Sequence, residues 1–115
     1  MIIDTGTKLF IVHRRLFERD QSRFFVGQVE AYQDGLARVR GYSFARTLGD
    51  GNICRKNEVH TKLIPLASGT LIMYVLPNEV AVDQIRVEGS RGLLTLTDGQ
   101  AFSMNMSEWV YETEH

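Results

Sequence analysis

The sequence predicts an all-β fold: a single antiparallel domain over residues 1–115, seven to eight short strands closed into a small barrel, with a two-sheet sandwich as the second arrangement. Three observations predict it. Turn residues recur every eight to twelve positions between runs rich in Val, Ile, Phe and Tyr. No stretch keeps apolar residues at a sustained helical period of 3.6. Two alternating runs carry internal glycines, Gly27 and Gly41, which face each other once the runs are paired and so favour a sharply bent sheet.

The first strand is expected within Thr7–Phe17. Phe10, Val12 and Leu16 lie on one side and Leu9, Ile11, His13, Arg15 and Phe17 on the other, so both faces carry bulky apolar residues, as in a strand buried over much of its length. Arg19-Asp20-Gln21-Ser22 is a polar break. Two long strands follow, Phe24–Tyr32 and Leu36–Arg46, around a three-residue loop Gln33-Asp34-Gly35 with Gly35 in the left-handed conformation. That loop pairs Tyr32 with Leu36, Glu30 with Arg38, Gln28 with Arg40 and Phe24 with Phe44. On the other face it pairs Ala31 with Ala37, Val29 with Val39 and Gly27 with Gly41. A two-residue turn would set Ala31 against Arg38 and Val29 against Arg40, so alternation selects the longer loop.

Leu48-Gly49-Asp50-Gly51-Asn52 reads as a loop by its glycines and Asx residues. Glu58–Leu66 is a strand stopped near Pro65, Thr70–Leu76 is the next, and Leu76-Pro77-Asn78 is a turn. Val80–Glu88 is strand-like but changes phase near Asp83-Gln84, as a bulge would make it do. Gly89–Gly92 turns the chain into Leu93–Leu96, and Thr97-Asp98-Gly99 forms a second short loop that pairs Leu96 with Gln100 and Leu94 with Phe102. Ser107–Tyr111 is expected to be a terminal helical turn capped by Ser107. Alternation and register send Val29, Val39, Ile72, Tyr74, Leu94, Leu96, Phe102 and Met104 into the core.

Of 115 residues, 43% are hydrophobic and 23% charged, ordinary for a soluble globular chain. The longest strongly apolar run, Leu71–Leu76, is far shorter than a membrane helix, and no small-residue cleavage site follows the block Leu9–Val12. Cys54 is the one cysteine, which excludes an internal disulfide and points to a reducing, cytoplasmic compartment. The net charge of −1 conceals an asymmetry: residues 1–62 hold 11 Lys and Arg against 7 Asp and Glu, and the remainder 2 against 7. Opposite halves can attract within one fold, between copies in a homo-oligomer, or toward a protein partner. A chain built for nucleic acid usually carries surplus positive charge overall, which this one lacks.

The candidate ligand-binding face is the stripe Arg38, Arg40, Tyr42, Phe44 and Arg46, which strand alternation places on one side. Arginines interleaved with aromatics can neutralise phosphates while stacking bases. The same residues also suit a covered sheet face in which Glu30 pairs Arg38, Phe24 packs Phe44 and arginine stems lie over rings, and cross-strand pairing favours that plainer account. Glu58 and His60 point one way on a strand, with His13 the other internal histidine, but no metal-ligand spacing joins them and a surface ion pair is the expectation. Asp50-Gly51-Asn52 lacks the further carboxylates of a calcium loop. Cys54 stands beside Arg55 and Lys56, which lower a thiol pKa, yet no second catalytic element accompanies it.

The segments Phe25-Val26-Gly27-Gln28-Val29, Asp34-Gly35 and Ala37-Arg38-Val39 resemble the opening bent hairpin of the Sm-like and SH3-like small barrels, over about a fifth of the chain. The resemblance implies a fold and no functional residues. A second Sm signature, Arg-Gly before an apolar strand, has its nearest counterpart in Arg91-Gly92-Leu93, too late in the chain, and about three strands exceed what such barrels need. The expected function is a non-catalytic binding or assembly module acting through its surface, without cofactor or metal. The alternative is a barrel binding RNA or single-stranded nucleic acid on the arginine–aromatic stripe.

Overall fold

A computed structural model of the chain describes residues 3–13, 23–46, 53–90, 93–100 and 102–106. The fold is all-β, and its strands form two antiparallel sheets. The strands are β1 (Lys8–His13), β2 (Arg23–Gln33), β3 (Leu36–Arg46), β4 (Ile53–Pro65), β5 (Leu71–Leu76), β6 (Arg86–Ser90), β7 (Leu93–Thr97) and β8 (Ser103–Asn105). The larger sheet has the order β4-β3-β2-β1-β5 and the smaller β6-β7-β8. Among the described residues no ladder joins β4 to β5.

The β2–β3 ladder pairs Val29 with Val39, Gln28 with Arg40, Gly27 with Gly41 and Phe24 with Phe44, as alternation predicts. Its turn corrects the expected three-residue loop. Gln33 pairs Leu36, so Asp34 and Gly35 alone reverse the chain, with φ of 51° and 81°. Two successive positive φ values define the hairpin turn whose twist matches that of the strands. Ala31 therefore faces Arg38 and Tyr32 faces Ala37, and a bulge between Val29 and Ala31 absorbs Glu30 and restores the register beyond it. The residue expected in the loop is housed in the strand.

Each face of the larger sheet carries a buried apolar cluster. On one, Phe10, Val12, Phe24, Val26 and Phe44 pack with Ile53 and Leu76 against Val80, Ile85, Leu94, Leu96 and Met106, which lays the smaller sheet over this side. On the other, Leu9, Ile11, Phe25, Val29, Ala37, Val39 and Ile64 form a second core, with Leu71 and Met73 half-buried against it. Three strand steps separate Ile64 on β4 from Leu9 on β1, about 14 Å in a flat sheet. Ile64 of β4 nonetheless lines one cleft with Ile11 of β1 and Leu71 of β5, so the sheet curls toward this face. Gly27 and Gly41 allow it: a Cβ on Gly41 would run into the Val26 carbonyl oxygen and the Gly27 Cα.

Val29, Val39, Leu94 and Leu96 are buried as expected. Ile72, Tyr74, Phe102 and Met104 are half-buried and pack against the first core. The phase change in Val80–Glu88 comes from a 3-10 turn at Val82–Gln84, not from a bulge within one strand. That turn lets Val80 and Ile85 both reach the core although alternation separates them. The second hairpin is also corrected: Leu96 pairs Met104 and Thr97 pairs Ser103, so Gln100 and Phe102 lie outside the ladder expected to pair them. Asp98, only 4% exposed, explains this. Its Oδ1 accepts the N–H groups of Gln100 and Phe102 at 2.9 and 3.1 Å, and its Oδ2 that of Ala81 at 3.1 Å. Gly89 and Ser90, expected to open a turn, instead end β6, and the rest of that turn at 91–92, the expected loop at 48–52 and the terminal helical turn at 107–111 lie outside the described residues.

Candidate functional site

Arg38, Arg40, Tyr42 and Phe44 alternate along β3, but they do not share an environment. Phe44 is 2% exposed and belongs to the first core opposite Phe24. Tyr42 is half-buried, and the Arg55 guanidinium covers its ring at 4.5 Å from the centroid. Arg55 is held there by donating to the carbonyl oxygens of Asp83 at 2.8 Å and Ile85 at 3.2 Å. Arg38 pairs Glu30 at 3.3 Å, both exposed. Arg40 is exposed, and Arg46 pairs Ile53 through its backbone, its side chain lying outside the described set. Arg40 and Tyr42 border a groove of about 680 Å³ with Gln28, Glu30 and Val80–Asp83. Lys8 lies there too, its Nζ donating to the Asn78 and Val80 carbonyls at 2.6 and 2.5 Å. This groove mixes signs and offers no open aromatic ring for stacking, because the smaller sheet covers Phe44 and Arg55 covers Tyr42.

The other candidates remain apart from it. Glu58 and His60 form an exposed pair at 3.9 Å on β4, and Cys54 is exposed on the same strand. Among the described residues no three His, Cys, Asp or Glu side chains converge as metal ligands would, and no helix is long and apolar enough to cross a membrane.

A second cleft, of about 770 Å³, opens at one end of the curled face. Register builds it. His13 pairs Arg23 at the ends of β1 and β2, Arg23 pairs Ala45 on β3, and Leu71 of β5 pairs His13. The curl then brings Lys56 and Lys62 of β4 to the same opening. The floor is apolar, from Ile11, Phe25, Ile64 and Leu71, with hydroxyls at Ser43, Ser68 and Thr70. Ser68 and Thr70 are linked through their hydroxyl oxygens at 2.8 Å.

The rim is cationic. Arg23, Lys56 and Lys62 line it with His13, and among the described residues no Asp or Glu does. The Lys62 ammonium stands 4.7 Å from the centroid of the Phe25 ring. Partial burial, and then the nearby Arg23 guanidinium, hold its pKa below the ordinary lysine value. Sequence reasoning missed this site. Val39 pairs Lys62, so alternation does place Lys62 on the face of the second core, an odd position for a lysine and the one available signal. Its approach to Arg23 follows from the curl, which no local pattern reports. No family model, curated protein or solved structure matches the chain.

Proposed function

We propose that this chain is a non-catalytic binding and assembly module, a small β-barrel of the SH3-like or Sm-like kind acting through its surface, with the cationic cleft as its binding face. The barrel reading is supported by the meander order β4-β3-β2-β1-β5 and by the bend at Gly27 and Gly41. The binding reading rests on one observation: all five strands of the larger sheet, and the turn between β4 and β5, contribute to a single preformed cleft. Its volume is in the range of small-molecule sites, about 300–1,000 Å³. Assembly is supported by β4, an edge strand whose residues from Lys56 to Leu63 are all exposed, Leu63 at 66%. Such edges are templates for pairing with another chain. A symmetric homodimer in the cytoplasm is the simplest form, and light scattering should then give a mass above 13.1 kDa.

Saturation-transfer NMR with 1-octanol tests the binding face. Signal is expected on the wild type and should vanish in Ser43→Trp, where an indole fills the cleft of a protein that stays folded. No transfer to the wild type, or transfer unchanged in the variant, contradicts the reading. The second reading, nucleic acid on the arginine stripe, draws support only from exposed Arg40 and its groove. Binding of short single-stranded RNA or DNA that weakens steeply as salt rises would favour it.

A further inference from the structure

We infer that the cleft between Arg23 and Lys62 takes a small amphiphilic anion, a single carboxylate or phosphate monoester head on an apolar body. The inference rests on the cleft being the binding face and adds the chemistry of what enters it.

Three features specify that chemistry together. Arg23, Lys56 and Lys62 bring formal positive charges to one opening, and no described acidic side chain lines it to offset them. The Lys62 pKa is lowered first by burial and then by the nearby Arg23 guanidinium, and an incoming anion would offset the repulsion between these like charges. Lys62 is also placed where it can act: its ammonium rests over Phe25, a residue of the apolar floor. A charged head there donates no proton and needs none, since ammonium and guanidinium supply the donors.

The floor decides the rest of the ligand. Ile11, Phe25, Ile64 and Leu71 belong to or pack on the second core, so the cleft is a continuation of apolar interior out to the charged rim. A free inorganic anion would leave that floor wet, and a neutral apolar molecule would leave the cations unmatched. A nucleic acid backbone needs cations spaced along a track, whereas these gather at one end of one face. The shared chemistry covers both an acyl carboxylate and an alkyl phosphate, and the probes separate them.

Calorimetric titration of the full chain with octanoate, octyl phosphate, 1-octanol, octylamine and inorganic phosphate tests the inference. Octanoate or octyl phosphate should bind about tenfold tighter than 1-octanol, as a charge-assisted hydrogen bond provides. Octylamine should bind more weakly than 1-octanol, and inorganic phosphate more weakly than either amphiphilic anion. Whichever anion binds better names the head group. Lys62→Met, which keeps an unbranched stem, should lower the anion's affinity about tenfold relative to that of 1-octanol on the same variant. Arg23→Met should do the same and serves as the independent variant. If 1-octanol matches the anions, or both variants bind them as the wild type does, the inference falls while the cleft stands as the binding face. If no probe binds, the reading of the cleft falls with it. Inorganic phosphate binding as tightly as octanoate overturns the amphiphile.

Discussion

Gly27 and Gly41 face each other across β2 and β3 with no room for a side chain between the strands. A Cβ on Gly41 would overlap the Val26 carbonyl oxygen and the Gly27 Cα, both backbone atoms that no rotamer change can move aside. This contact permits the curl that folds β4 over the face of β1 and β5, and so it shapes both the second core and the cleft. Gly41→Ala should cost more than about 2 kcal/mol by urea unfolding, the range of an overpacked interior. Gly69→Ala, where an added Cβ meets nothing within 4 Å, should stay within about 0.5 kcal/mol of wild type.

The Asp98 carboxylate joins the β7–β8 loop to the segment before the 3-10 turn. Removing it leaves the N–H groups of Ala81, Gln100 and Phe102 without the acceptor they now use. Asp98→Ala should destabilise by about 2–4 kcal/mol, and Asp98→Asn, which retains one oxygen, by less. Thermal unfolding of the two variants checks the order.

Leu96 lies in the core between the two sheets and is fully buried. Leu96→Ala should cost about 2–5 kcal/mol. A loss under about 1 kcal/mol would place it outside a packed interior and contradict the β7–β8 register.

The β2–β3 ladder was legible because its apolar pairs recur at period two, as at Val29 and Val39. The location of the extra residue was not. A third loop residue and a bulge at Glu30 give the same ladder beyond Val29, and only turn stereochemistry at Asp34 and Gly35 separates them. The same degeneracy hid the 3-10 turn at Val82–Gln84, since a bulge and a tight turn both shift phase. Phe44 falls in the candidate face when β3 is considered with its neighbour alone, and the covered face that packing against Phe24 favours is completed by a sheet from residues far along the chain. The cleft was hidden for a related reason. Arg23 and Lys62 meet through tertiary curvature, not through any spacing along a strand.

Lys62 ties stability to pH in a direction that can be worked out. Its unfolded pKa is near the ordinary lysine value of 10.5 and its folded pKa is lower. Between the two, the unfolded chain binds more protons, so stability rises with pH across that window and is lowest, by this group, below the folded pKa. Solvent screens most of the effect on so exposed a side chain. Lys62→Met should therefore be at least as stable as wild type at neutral pH, within about 0.5 kcal/mol, and lack the alkaline rise. Urea midpoints measured from neutral pH to just above pH 10 check the sign. A residue retained for structure alone would instead lose stability on this substitution.

The most direct test of the central claim, that the open end of the curled face is where this protein binds, is an amide chemical-shift map recorded while octanoate is added. The account predicts saturable shifts at Ser43, Lys62, Ile64 and Leu71, contributed by three different strands around one cleft. Shifts confined to Arg40, Tyr42 and Ala81 would move the site to the opposite groove, and no saturable shift at the four cleft residues would contradict it.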